Sequence, residues 1–163
     1  MRVEYINPFI ASLKNTFQTM LDCDTRRGQV ALRTASSPRL FVSGVIGLSG
    51  RAVGAVVLSL SKEVALKAAS TMLMAEATAI DEDVLDAVGE LTNMVAGAAK
   101  AELEEYQLQV SLPSVVTGAD HEVHFPSNVT PIYVPFETGW GSLALEVGFT
   151  VVNAPAAEVS TSV

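Results

Sequence analysis

Residues 86–100 read DAVGELTNMVAGAAK. Alanine, valine, leucine and methionine make up most of the stretch, and all but valine are good helix formers. Two acids, an amide and two glycines interrupt them: Asp86, Glu90, Asn93, Gly89 and Gly97. At about 100° per residue, Asp86, Glu90, Asn93 and Gly97 fall within an arc of roughly 60°. Val84, Val88, Leu91, Val95 and Ala99 lie on the opposite side, as a core-facing set would. The stretch therefore predicts an amphipathic helix with a narrow polar stripe turned outward.

The flanking sequence supplies further helices and the layer on which they pack. Asp81-Glu82-Asp83 opens the same helix with acids in its first turn, where they suit the helix dipole, and the apolar spacing carries it to about Glu105. Ser61 caps an expected helix over 62–75. Asn7-Pro8 starts another over 8–22, with Ile10, Leu13, Phe17 and Leu21 on one face. Residues 28–60 change period: Val30 and Leu32, then Leu40 to Ile46, then Val53 to Leu58 read as three strands. The turn signal Gly47–Arg51 joins the last two as a hairpin. Gln107–Thr117, Pro131–Phe136 and Ser142–Val152 read as three more. The order α-βββ-αα-βββ predicts a pseudo-symmetric α+β domain over 1–153, its long helices packed on one mixed or antiparallel β-sheet. Residues 154–163 are small and polar and read as a disordered tail.

The chain has 163 residues, 49% of them apolar, enough for one domain with its own core. A net charge of −8 argues against nucleic acid and anionic membrane surfaces, both of which select basic patches. Mean hydropathy of +0.36 is high for a soluble monomer and points to a homo-oligomer. Cys23 is the only cysteine, which excludes an intramolecular disulfide and a cysteine metal cluster. The N-terminus lacks the apolar run of a signal peptide. The longest apolar candidate for a membrane span, 40–60, is broken by four glycines and Arg51. A reduced, cytoplasmic protein is expected.

An outward glutamate normally only solvates its helix. Here the stripe is flanked by Ala87, Gly89, Ala96, Gly97 and Ala98, so nothing bulky shields it. Each interior glycine costs the helix about 1 kcal/mol relative to alanine, which suggests close approach of a partner. A carboxylate and a carboxamide one turn apart can hold a cation and orient a water without either acting as nucleophile.

Asp86-x-x-x-Glu90-x-x-Asn93 resembles the D/S-x3-E-x2-N signature of the CheC, FliY and CheX phosphatases of bacterial chemotaxis. The single copy, the length and the opening Tyr5-Ile6-Asn7-Pro8-Phe9 resemble the CheX branch in particular, over residues 3–152. The resemblance implies a phosphatase, dimeric, acting in two-component signalling on a phosphorylated CheY-like response regulator. It implies that Glu90 pairs with the regulator's active-site lysine, while Asn93 orients the water that attacks the aspartyl phosphate in line. Asp86, Gly89 and Gly97 would support partner contact. Mg²⁺ would belong to the regulator, with no cofactor or metal held by this chain. The family's signature also carries a proline well beyond the asparagine. Val116 stands in that window here, and the nearest proline is Pro113. Two other readings fit the same stripe: a regulator-binding module that does not catalyse, and a dimerisation domain within a signalling assembly.

Five other features are set aside from the chemistry. Glu4-x-x-Asn7 repeats the acid–amide spacing, but Asn7 precedes Pro8 and reads as a helix cap off helical geometry. His121 and His124 fall in a loop or strand, where residues three apart diverge, so metal binding is not expected. Ser49, Ser59 and Ser61 lack a nucleophile elbow. Gly44-x-x-Gly47-x-x-Gly50 lacks the Lys-Ser/Thr of a phosphate loop and leads into a strand. Trp140, between two glycines, reads as a turn residue or interface anchor.

Overall fold

A computed structural model describes residues 3–35, 37, 40–119 and 121–152. The expected tail at 154–163 lies outside the described residues. Three helices pack on an antiparallel sheet. A 3-10 turn, Val3–Ile6, leads into α1, Asn7–Leu21. Four strands follow: β1 Thr25–Arg27, β2 Ala31–Leu32, β3 Val42–Ser49 and β4 Ala52–Leu60. Then come α2 Lys62–Leu73 and α3 Glu82–Ala101, a 3-10 turn at Glu104–Tyr106, and β5 Gln109–Val110, β6 Ser114–Thr117, β7 Ile132–Thr138 and β8 Gly141–Val151.

The strands run in the order β1-β7-β8-β4-β3-β5, with β2 also on β7 and β6 also on β3. Every described strand pair is antiparallel. The pattern is thus α-ββββ-αα-ββββ among the described residues, not α-βββ-αα-βββ. Thr25–Arg27 escaped notice because three residues, two of them arginine, carry no apolar alternation. Gln107–Thr117 is two short strands because Pro113 has no N–H to continue a ladder.

Two helix starts illustrate local control. Val84 N–H donates to Asp81 Oδ1 at 3.0 Å, and Val64 N–H donates to Ser61 Oγ at 3.2 Å. The expectation for Asn7 is corrected. The 3-10 turn runs without a break into α1, so Ile6 already has helical geometry (φ −75°, ψ −23°) and no side chain caps the start. Asn7 is therefore inside the helix, and the reason given for setting aside Glu4-x-x-Asn7 fails. Glu4 is nonetheless engaged within the domain, unlike a stripe residue. α3 ends at Ala101, short of Glu105, because Leu103 and Tyr106 turn into the core. Tyr106 there joins Tyr5 and Phe149 in an aromatic cluster with centroids 5.5–5.9 Å apart.

Register separates the two faces of the sheet. Val42, Gly44, Ile46 and Leu48 of β3 pair with Leu60, Leu58, Val56 and Gly54 of β4. These positions face the helices, and all but Gly54 are buried. Phe9, Leu13 and Phe17 of α1 and Val84, Val88, Leu91, Val95 and Ala99 of α3 complete that core without exposed surface. The opposite face is covered partly by irregular chain. Glu146, 1% exposed on β8, meets Arg33 Nε at 2.8 Å, and that guanidinium lies over the Tyr133 ring. Cys23 is buried, and burial pushes its thiol pKa up, as fits an unreactive core cysteine. None of the described helices is long and apolar enough to cross a membrane.

Candidate functional site

α3 presents Asp86, Glu90 and Gly97 exposed and Asn93 half-buried. Among the described residues, Asp86, Glu90 and Asn93 make no side-chain hydrogen bond or ion pair with the rest of the domain. The acid and the amide are thus free to meet an outside group. They sit on a convex helix face, not in a cleft. A cavity of about 560 Å³ lies elsewhere, lined by Arg33, Thr34, His121 and His124 among others, and contains no stripe residue. A convex face cannot enclose a small substrate, because small-molecule sites are concave and bury most of their ligand. Whatever the stripe acts on must bring its own pocket.

The two glycines part company. A Cβ on Gly97 would meet nothing within 4 Å. Gly97→Ala is expected to raise stability by about 0.5–1 kcal/mol, seen as a higher denaturation midpoint. Gly89 is buried, and a Cβ there would lie 3.5 Å from Pro113 Cγ and Val115 Cγ2. Its expected place on a partner-facing surface is corrected: it faces this chain's own β6 segment. It lies about 100° around the helix from Glu90 and about 40° beyond Asn93, at the boundary between stripe and core. Pro113, the proline nearest the family's position, is the residue that packs there.

Thr92 and Gly44, which the stripe reading missed, lie directly beneath. Thr92 has no exposed surface, and its Oγ1 donates to Val88 O at 2.7 Å. A glycine inside a β-rich run marks a close backbone approach, and Gly44 carried that signal.

The remaining candidates are accounted for by the fold. His121 Nδ1 donates to Gly118 O, 2.7 Å away, since a carbonyl only accepts. In the neutral ring Nε2 then accepts from Ser43 Oγ at 2.7 Å, and Ser59 donates to Ser43, also at 2.7 Å. His121 and His124 line the same cavity and do not diverge, because the segment is irregular and not a strand. Among the described residues, no group of three or more His, Cys, Asp or Glu is placed to hold a metal ion. Trp140 sits at the β7–β8 turn, where Thr138 Oγ1 accepts from its N–H at 3.0 Å.

Residues 42–137 match the family model described as Chemotaxis phosphatase CheX. The CheY-P phosphatase CheX of Thermotoga maritima is 33% identical over 127 residues, 76% of this chain and 81% of that protein. The crystal structure of the chemotaxis protein CheX from Vibrio vulnificus matches with a TM-score of 0.84 at 32% identity, covering 91% of this chain and 100% of that one. The CheX–CheY–BeF3–Mg²⁺ complex from Borrelia burgdorferi contains the same fold, with a TM-score of 0.75 at 22% identity over 93% of this chain and 100% of that one. The chain is accordingly a phosphatase of the chemotaxis class. It belongs to the CheX family.

Proposed function

We propose that this chain dephosphorylates the aspartyl phosphate of a CheY-like response regulator through the outer stripe of α3. The observation that carries the reading is an acid and an amide, one turn apart and without partners in the described chain, on a convex helix. Such a surface fits insertion into a partner's active site. The Thermotoga relative is named for CheY-P, and the Borrelia complex pairs a CheX with CheY, a phosphate mimic and Mg²⁺. Phosphoryl transfer asks little covalent chemistry of the protein; positioning and charge stabilisation carry the rate.

In this reading Glu90 pairs with the regulator's active-site lysine. Asn93 orients the attacking water, and an amide does so without titrating. Asp86 supports the partner contact, and Gly97 permits close approach. Mg²⁺ comes with the regulator. The test is phosphate release from regulators fed continuously with acetyl phosphate: this chain should accelerate it. Tight binding without acceleration would instead assign a non-catalytic docking module.

The reading includes a cytoplasmic homodimer. Its support is the high mean hydropathy of the chain. Sedimentation should give twice the 17.2 kDa chain mass; a monomer at micromolar concentration would contradict it.

A further inference from the structure

The turn that carries Glu90 and Asn93 is held from beneath at two points. Thr92, between them in sequence, fills the space over Gly44 of β3. A Cβ on residue 44 would collide with Thr92 Oγ1 and stand 2.9 Å from Thr92 Cβ and 3.2 Å from Cγ2. Rotating the threonine would move Oγ1 and Cγ2 but not Cβ, so the backbone of the turn would have to shift. The Thr92 hydroxyl draws on Val88 O at 2.7 Å, the carbonyl that also closes the helix hydrogen bond of Thr92's own N–H. On the other flank, Ser12 of α1, 7% exposed, donates to Val95 O at 2.7 Å. A threonine hydroxyl bonded back to its own i−4 carbonyl slightly destabilises a helix, and threonine is a poorer helix former than alanine. Packing of Thr92 on Gly44 and the Ser12 hydrogen bond hold α3 to β3 and α1 beside the two stripe residues.

We propose that Thr92, seated in the gap left by Gly44, is a positioning residue that with Ser12 fixes the depth and winding of the turn presenting Glu90 and Asn93. The kinetic consequence rests on the phosphatase reading above. An amide that must place a water in line tolerates little displacement, since about 1 Å of misplacement costs on the order of 100-fold in rate.

The test compares wild type with Gly44→Ala and Gly44→Ala/Thr92→Gly, the glycine removing the Cβ that rotation would leave in place. Gly44→Ala should lower kcat for regulator dephosphorylation by about tenfold or more, with KM changed less than about threefold. The double variant, in which the new methyl takes the space that threonine vacates, should recover most of the loss. The side-chain amide resonances of Asn93 in the free domain should move in the single variant and return in the double. A folded Gly44→Ala with wild-type kcat and unmoved resonances would overturn the proposal, and so would a loss that the double variant does not restore. If Gly44→Ala does not fold, Thr92→Val decides. It keeps the shape and removes the hydroxyl, and it should lower kcat by about threefold or more and move the Asn93 amide signals. Wild-type behaviour would refute the role. If wild type itself does not accelerate phosphate release, the functional reading fails, and the resonances alone decide the positioning role.

Discussion

Asn93→Ala is expected to lower dephosphorylation of the regulator by about 100-fold or more while leaving its affinity within about threefold. In the proposed mechanism the amide holds a water in line, so its removal would act on the chemical step and spare docking. Measuring kcat and regulator affinity separately checks the split. The domain should stay folded. Asn93 is half-buried and its side chain forms no hydrogen bond among the described residues, so the melting temperature should move by only a few degrees. A large drop would mean that the side chain holds the helix in place. Turnover near wild type would remove Asn93 from the mechanism.

Glu90→Ala is expected to weaken binding of the beryllofluoride-bound regulator by about 30-fold or more and to lower turnover with it. Glu90 is exposed in the free chain, and in the proposed complex it would be desolvated against the regulator's lysine. Truncating one partner of such a buried charge pair typically costs about 2–5 kcal/mol, partly because the other charge is left unpaired. Calorimetric titration checks the affinity. Unchanged binding would sink the assigned ion pair. The two substitutions thus separate in kind: Asn93 acts mainly on rate, Glu90 on both affinity and rate.

Much of the fold was legible because its signals were periodic. The core face of α3, from Val84 to Ala99, repeats at helical spacing and is buried as expected. The β3–β4 hairpin followed from Gly50, which adopts φ +115°, a conformation few other residues accept. What escaped was set by tertiary contact. β1 is too short to carry alternation. Glu146 lies inside an apolar strand and is buried because Arg33, remote in sequence, reaches it. Gly89 was read as flanking the stripe and supporting partner contact, but its burial depends on Pro113 and Val115, which no local pattern links to it.

The stripe was readable for a similar reason. Four polar or small residues on one side of an apolar helix stand out without knowledge of the rest. The seat beneath it did not stand out. Thr92 reads as an unremarkable helix residue until β3 brings Gly44 against it. Spacing along one element can show which side chains face outward, whereas the groups that hold them in place come from another strand and another helix.

The central claim is that the α3 stripe hydrolyses an aspartyl phosphate held by a partner. The most direct measurement is single-turnover loss of the phosphoryl group from a purified, phosphorylated CheY-like regulator, with wild type and Asn93→Ala side by side. Faster loss with wild type, and loss at the regulator's own rate with Asn93→Ala, is the predicted result. Equal rates for wild type, Asn93→Ala and the regulator alone, at concentrations where binding is demonstrated, would contradict it.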